Sequence, residues 1–359
     1  MSKVMEIEAI DTLFFRDGKP FGESGDNWAR SLTFPLPSTI YGAIRAIYFS
    51  QHPDKFKRFV KGKIKEDPTS KLEIKKIYFT LNNNPYFIFP YDLVFENLGT
   101  KKKINISLLK LSSRIVSNLD NMDVLIYTGS KDVDRKDCLV VRSSFENYLK
   151  GDVTKIKNFK FIEKVINKEF KIGIGREKNT KNVANGKLYN IGMNRFGNNK
   201  SIFKIVVEFD GVDVEERGIF RFGGEGKAAS YRLVDNRLDL DNNFEIQNGD
   251  IIKFYLLTPA IFKNGWYPDF LDDDFRFKKN GIELKLKAAA MGKPIYVGGW
   301  DIDKPKRMYK AVPAGSVYYF EVLSGAEKIR EEFNFRSIVE IDRLNKEGYG
   351  IVIIGKGQK

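Results

Sequence analysis

Residues 218–234 read GIFRFGGEGKAASYRLV, and residues 345–357 read NKEGYGIVIIGKG. Each stretch has a glycine-rich loop that leads into an apolar run typical of a strand, 230–234 in the first and 351–354 in the second. The two halves of the chain also open alike: DTLFFRDGKPF from residue 11 and LLTPAIFKNGWYP from residue 256 each place a polar glycine turn after an apolar strand. These similarities indicate one structural unit that occurs twice.

The repeat predicts the fold class. Strands and helices are mixed within each unit, which is typical of an α+β protein and favours two ferredoxin-like (RRM-like) domains with glycine-rich loops and long inserted loops. The polar, acidic segment 235–250 is the natural boundary between the units. We therefore predict an N-terminal domain over residues 1–240, with a basic insertion at about 100–200, and a C-terminal domain over residues 241–359.

The segment FPLPSTIYGAIRAIYFSQHP, residues 34–53, predicts a loop and then a helix. Ser38 suits the N-cap position, and Pro53 is expected to end the helix. Four residues fall on one face at helical spacing: Ile40, Ile44, Ile47 and Tyr48. Elsewhere we predict a strand over 6–15, a hairpin around 82–85, and a helix within 325–348.

Positive charge is concentrated in one part of the chain. The formal net charge is +14, and residues 101–200 alone carry 22 Lys and Arg against 10 Asp and Glu, a net charge of +12. A focused basic region predicts a polyanionic partner such as nucleic acid, although a solvated lysine-rich surface has the same composition. Within this region, residues 171–200 are rich in glycine and asparagine, which predicts a hairpin or long loops, or else a disordered loop.

Several classes of function are excluded or disfavoured. A single cysteine, Cys138, excludes a disulfide scaffold, and a single histidine, His52, disfavours a catalytic triad and histidine-rich metal sites. No apolar run is long enough to span a membrane, and the N-terminus lacks a signal-peptide core, so we expect a cytoplasmic protein without a cofactor. The loop FGGEGK is not a Walker A motif; it could cradle a phosphate or simply form a turn.

Seven phrases, in order along the chain, resemble one known family. They are FFRDGKPF, FPLPSTIYGAIRA, IGIGREKNT, FGGEGKAA, LLTPAIFKNGW, YVGGWD and KAVPAGSVYYF. The ordered set resembles the third subunit of the Cmr complex, the type III-B CRISPR–Cas effector, which is an RNA-binding protein of the RAMP superfamily. The closing GYGIVIIG resembles the RAMP glycine-rich loop. Residues 55–76 match nothing that we can name in this family, which leaves their role open.

The resemblance implies a non-catalytic subunit that holds the 5′ repeat-derived tag of the CRISPR RNA in antiviral defence. It also implies contacts with the large polymerase-cyclase subunit and with the first RAMP backbone subunit. The matching phrases carry the expected RNA-binding residues: Arg16, Lys19, Ser38, Tyr41, Arg45, Arg176, Lys178, Lys181, Gly223, Gly224, Gly226, Lys227 and Trp300. Trp300 could stack on a base or belong to a core.

A second class of function stays open at this point. Metal-independent CRISPR RNA-processing endoribonucleases of the same superfamily share two ferredoxin-like domains and a glycine-rich loop, and they commonly use a histidine as general base. This chain offers only His52 for that role, next to Pro53. Cleavage of repeat RNA by the purified chain would separate an endoribonuclease from an RNA-anchoring subunit.

Overall fold

The computed structural model describes residues 2–18, 28–63, 66–97, 104–115, 122–177, 179–180, 182–197, 201–301 and 304–358. Within these residues the chain forms two large antiparallel sheets, several small ones, and a few helices. The helices are α1 Pro37–Gln51, α2 Pro53–Val60, α3 Arg142–Leu149, α4 Ile329–Phe333 and α5 Asp342–Lys346.

The strands of the described residues are as follows. They are β1 Lys3–Ala9, β2 Trp28–Ala29, β3 Glu73–Leu81, β4 Asn84–Ile88, β5 Leu93–Glu96, β6 Asn105–Leu108, β7 Lys110–Ser112, β8 Val124–Ile126, β9 Val133–Asp134, β10 Cys138–Val141, β11 Phe159–Phe161, β12 Ile166–Arg176, β13 Val183–Phe196, β14 Phe203–Asp210, β15 Arg217–Arg221, β16 Ala228–Val234, β17 Ile251–Leu256, β18 Arg276–Lys279, β19 Ile282–Ala290, β20 Ile295–Val297, β21 Trp300–Asp301, β22 Lys304–Pro305, β23 Tyr309–Ala311, β24 Val317–Ser324 and β25 Val352–Lys356.

The first sheet has eight strands in the order β11-β10-β4-β3-β14-β1-β16-β15. Strand β1 is central, and its side chains alternate between two cores: Met5 and Ile7 face α1, whereas Val4 belongs to the core shared with the second sheet. Helix α1 buries the predicted apolar face, with Ile40 and Ile44 fully enclosed. The apolar residues of α1 recur at helical spacing, so the helix buries one continuous apolar face against this sheet.

The second sheet has the order β18-β19-β24-β17-β25. Four of its strands, β19-β24-β17-β25, can be compared with β3-β14-β1-β16 of the first sheet. When the strands of each set are numbered from first to fourth along the chain, both sets have the order second, third, first, fourth. In both sets the first strand is central and pairs with the third and fourth. Helix α1 joins the first two strands of one set, whereas α4 and α5 join the last two of the other.

Local predictions from sequence are partly confirmed. The hairpin at 82–85 is present between β3 and β4, and residues 171–200 contribute to a long hairpin of β12 and β13. The N-cap prediction was wrong, because α1 starts at Pro37 and its N-cap residue is Leu36. Ser38 lies in the first turn of the helix, and its hydroxyl forms a hydrogen bond with the Tyr349 hydroxyl. The first strand ends at Ala9, earlier than predicted, and 325–348 forms two short helices and a 3-10 turn rather than one helix.

A polar cluster lies buried between the two sheets. The Asp92 carboxylate accepts hydrogen bonds from the hydroxyls of Tyr148 at 2.8 Å and Tyr319 at 2.7 Å. The Lys253 ammonium lies 3.7 Å from the same carboxylate and 3.7 Å from the centre of the Tyr148 ring. Burial lowers the pKa of Lys253, and Asp92 opposes that shift. Lys253 and Tyr319 come from the second sheet, so the cluster ties the two sheets together.

Loss of the Asp92 charge should destabilise the fold. We expect Asp92→Asn to lower the free energy of unfolding by about 3–5 kcal/mol, because the buried Lys253 loses its counter-charge. The double variant Asp92→Asn with Lys253→Met should recover most of that loss, since no buried charge then remains. Urea unfolding of the three proteins measures both effects. A double variant less stable than the single one would contradict the charge argument.

Candidate nucleic-acid interface

Residues 11–18, which we call the junction segment, follow β1 and meet four other parts of the chain. The backbone of Leu13 exchanges two hydrogen bonds of 2.8 Å with Asn194 in the hairpin β12–β13. The Phe14 carbonyl accepts from the Gly224 N–H at 2.8 Å, and the Phe15 carbonyl accepts from the Leu32 N–H at 2.7 Å. At its far end, the Gly18 N–H donates to the Tyr296 carbonyl of β20 at 3.2 Å, so the segment also contacts the C-terminal part of the chain.

Two glycines of the FGGEGK loop are packed against the junction segment. Gly223 has φ +79°, and a Cβ added there would lie 2.4 Å from the Phe14 carbonyl oxygen. A Cβ at Gly224, which lacks a positive φ, would lie 2.9 Å from the Phe14 ring. Gly226 has φ +65° but faces open space. Close packing therefore accounts for the first two glycines, whereas Gly226 leaves its side of the loop accessible.

Two of the predicted phosphate-binding cations already have carboxylate partners. Lys227 donates to Asp11 at 2.8 Å, and this hydrogen bond is the main reason that the pKa of Asp11 falls to about 2. Arg45 donates to Asp67 at 2.6 Å and to Thr69 at 2.7 Å, which fixes its guanidinium beside α1. Both cations would have to exchange these partners, or share them, in order to bind phosphate. Tyr41, one turn before Arg45, is half-buried, and burial raises its pKa.

The other predicted residues are placed differently. The Arg16 side chain is exposed, and its backbone forms a bridge with Ser31. Arg176 and Trp300 lie on β12 and β21, where only their backbones are described. Lys19, Lys178 and Lys181 lie outside the described residues. Trp300 is two residues from Gly298, which contacts Gly18, so the GGW phrase and the RDG turn are neighbours in space.

A cleft of about 190 Å³ opens beside the start of α1. Ser38 and Thr39 line it on one side, and Gly298 and Gly299 line it on the other. Three cations that the sequence did not single out also border it: Lys306, Arg307 and Arg343. The N-terminal end of a fifteen-residue helix favours anions, so helix and cations together make this cleft suited to a phosphate backbone.

The balance of charge within the cleft is positive. Glu347 is the one carboxylate among the described lining residues, and it is largely buried, which raises its pKa. Arg343 lies 3.5 Å from Glu347, whereas Lys306 and Arg307 form no ion pair with any described residue. Arg307 instead lies near the ring of Tyr309, at 5.4 Å from its centre. Exposed cations beside an aromatic ring are the groups that single-stranded RNA contacts.

Asn194 fixes the base of the hairpin and was missed by the sequence analysis. Its fully buried side-chain amide donates to the carbonyls of Leu32 at 2.6 Å and Thr33 at 3.2 Å. Beyond this base the hairpin extends outwards, and three side chains on one face of β12 are exposed: Phe170, Ile172 and Ile174. One asparagine among several in this stretch gave no sequence signal, because the carbonyls that it contacts lie more than 160 residues away.

His52 and Cys138 have local structural environments. The His52 Nδ1 lies 2.9 Å from the Tyr48 carbonyl, and its ring stacks on Tyr48 at 4.4 Å. Cys138 is buried, and burial raises the pKa of its thiol. Among the described residues, no group of three or more His, Cys, Asp and Glu side chains could hold a metal ion. In that same part of the chain, no helix is both long and apolar enough to cross a membrane.

Two antiparallel sheets that share one strand order, with a basic cleft beside the start of α1, define a mixed α/β protein with an internal repeat. A family model described as CRISPR-associated protein (Cas_Cmr3) matches residues 5–357. The chain therefore belongs to the Cas_Cmr3 family, which confirms the resemblance drawn from the sequence phrases.

Individual relatives are distant. The CRISPR system CMR subunit Cmr3 of Saccharolobus solfataricus is 23% identical, with 98% of this chain and 96% of the relative covered. A chain in the cryo-EM structure of the Type III-B Cmr-beta bound to cognate target RNA and AMPPnP has a TM-score of 0.50 and 20% identity, covering 88% of this chain and 86% of that one. A chain of Cmr-beta bound to cognate target RNA has a TM-score of 0.49 and 20% identity, with the same coverage. The first structural match shows a shared fold.

The packing of the glycine loop can be tested with two matched substitutions. Gly223→Ala and Gly226→Ala both place a side chain at positive φ, which costs roughly 1–2 kcal/mol. Only Gly223→Ala also meets the Phe14 carbonyl, so it should lower the melting temperature clearly more than Gly226→Ala. Thermal unfolding of the two variants measures the difference. Equal melting temperatures would contradict the close packing of the loop on the junction segment.

Proposed function

We propose that this chain is a non-catalytic RNA-binding subunit of a type III-B CRISPR effector complex and that it anchors the 5′ tag of the CRISPR RNA. The observation that carries the proposal is the basic cleft between the domains, in a chain of the Cas_Cmr3 family. Lys306, Arg307 and Arg343 would bind phosphates there, and the start of α1 would add its partial positive charge.

The proposal keeps some of the RNA contacts predicted from the sequence and gives other predicted residues a positioning or packing role. Arg16 and Trp300 lie in segments that meet at Gly18 and Gly298, next to the cleft. Lys19, Arg176, Lys178 and Lys181 would extend the basic path along the neighbouring turn and hairpin. Arg45 and Lys227 would contribute by exchanging a carboxylate for a phosphate. Tyr41 and Ser38 would position α1, and Gly226 would admit the RNA backbone.

We further propose that the two sheets are the cores of two ferredoxin-like RAMP domains, residues 1–240 and 241–359. A ferredoxin-like sheet has four antiparallel strands with the first strand central, and both strand sets match that order. Each set has helical connections at only one of the two expected places, α1 in the first and α4 with α5 in the second. In the complex, the large polymerase-cyclase subunit and the first RAMP backbone subunit would be its neighbours.

The endoribonuclease alternative gains no support from the environment of His52. Its Nδ1 is engaged by a carbonyl at the end of α1, and its ring is stacked on Tyr48. A general base needs a free nitrogen that faces the RNA and an acid that protonates the leaving group. The position of His52 at a helix junction fits a structural role, so the anchoring function is the one we propose.

Removal of the cleft cations should weaken RNA binding in a salt-dependent way. For the double variant Lys306→Ala with Arg307→Ala, we expect weaker binding of an RNA that carries the 5′ tag. The slope of log affinity against log salt should fall by about 1.4, since each lost phosphate contact on a single strand removes roughly 0.7. Fluorescence anisotropy at several salt concentrations measures that slope.

A control variant that loses two positive charges outside the cleft shows whether the change in slope comes from lost RNA contacts or only from the lower net charge of the protein. Lys278→Ala with Lys279→Ala removes two exposed lysines from β18, at the edge of the second sheet. This control should leave the slope nearly unchanged. Equal slopes for the two double variants would mean that the cleft is not the RNA-binding surface.

A further inference from the structure

Helix α2 is a short amphipathic helix whose role the proposed function does not explain. Its residues 53–60 read PDKFKRFV, and with the following KGK the stretch 53–63 has five Lys or Arg against one Asp. Phe56 and Val60 are four residues apart and therefore share one face of the helix, which Phe59 extends. Lys57 and Lys61 flank that face, so an apolar strip with a basic border results.

The apolar strip of α2 is largely uncovered. None of the residues of α2 is buried, and Phe56 and Val60 are 46% and 65% exposed. The helix is held along one edge, where Phe49 at the end of α1 contacts Phe56 at 5.2 Å and Phe59 at 6.3 Å between ring centres. Lys55 adds a hydrogen bond of 3.0 Å to the Tyr48 hydroxyl. These contacts position the helix but leave its outer strip to solvent.

The charges of α2 are also unpaired. Within the described residues, Lys57, Arg58, Lys61 and Lys63 form no ion pair with a carboxylate. Four cations without a carboxylate partner beside an exposed apolar strip fit a partner that is acidic and apolar at once.

The apolar strip indicates which class of partner fits α2. RNA would pair with the cations and could stack on Phe56, but it would leave the aliphatic Val60, the more exposed of the two at 65%, without an apolar partner. A second copy of this chain would bring the same basic border and be repelled. An acidic protein groove satisfies both the strip and its border, as in other helix-in-groove contacts.

We propose that α2 docks, through its Phe56–Val60 face, into an apolar groove with an acidic rim on a neighbouring protein subunit. The identity of the assembly rests on the proposed function, whereas the docking surface rests on α2 alone. The partner is defined by its chemistry: apolar floor, Asp and Glu at the edges, and room for two helical turns.

Site-specific photo-crosslinking in the assembled effector, with guide RNA and all subunits present, tests the proposal. p-Benzoylphenylalanine replaces Phe56 in one preparation and Val60 in another, and Ile219 in a control. Ile219 is 73% exposed on the first sheet and points away from α1, because its neighbour Phe220 packs in the α1 core. We expect both α2 positions, and not the control, to crosslink to one Asp- and Glu-rich peptide of another protein subunit. Crosslinks to RNA, to a second copy, or to nothing would overturn the proposal.

A second variant tests the energetics. Val60→Asp should weaken incorporation of this chain into the complex roughly tenfold or more, with little change in melting temperature, because Val60 is 65% exposed and the substitution leaves the contact of Phe56 with Phe49 in place. Binding of 5′-tag RNA by the isolated variant should be unchanged. Normal incorporation would overturn the docking proposal, whereas failure of the unsubstituted chain to bind tag RNA would count only against the proposed function.

Discussion

The buried carboxylate of Asp92 is the interaction on which the packing of the second sheet depends. It joins Tyr148 of α3 to Tyr319 and Lys253 of the second sheet, and all four side chains are almost completely buried. Around it, Phe145 stacks on Phe87 at 4.3 Å and meets Tyr255 edge-on at 4.8 Å. A charged cluster inside an aromatic core tolerates few alternative packings, because any displacement leaves a charge unpaired. The relative position of the sheets is therefore fixed, and with it the cleft between Ser38 and Gly299.

The glycines of the two glycine-rich loops allow close packing against different parts of the chain. In the first domain, Gly223 and Gly224 admit the junction segment, which links the hairpin, the loop and β20. In the second domain, a Cβ at Gly348 would lie 2.7 Å from Ile74 of the first sheet, so this loop fastens one domain to the other. Tyr349, between two glycines with positive φ, is buried and reaches Ser38 at the start of α1. The contacts of the two loops thus help to position the residues around the cleft.

Features that depend on local spacing could be predicted from the sequence. The apolar face of α1, the turn at 82–85, the hairpin near 171–200 and the presence of a repeated unit follow from periodicity and glycine placement. Features that depend on contacts between residues far apart in the sequence could not be predicted. The carboxylates that hold Arg45 and Lys227, the Asp92–Lys253 pair and the amide of Asn194 join residues that sequence spacing does not relate. Lys306 and Arg307 belong to no recognisable motif, and only the fold brings Arg343 to the same cleft.

The central claim is that the tag of the guide RNA lies in the cleft between the domains. Its most direct test is crosslinking of the assembled complex with guide RNA that carries 4-thiouridine at successive positions of the 5′ tag, followed by mass spectrometry of this chain. The account predicts crosslinks to peptides that contain residues 297–309 and the start of α1. Tag crosslinks confined to the outer face of the second sheet, or to other subunits alone, would contradict it.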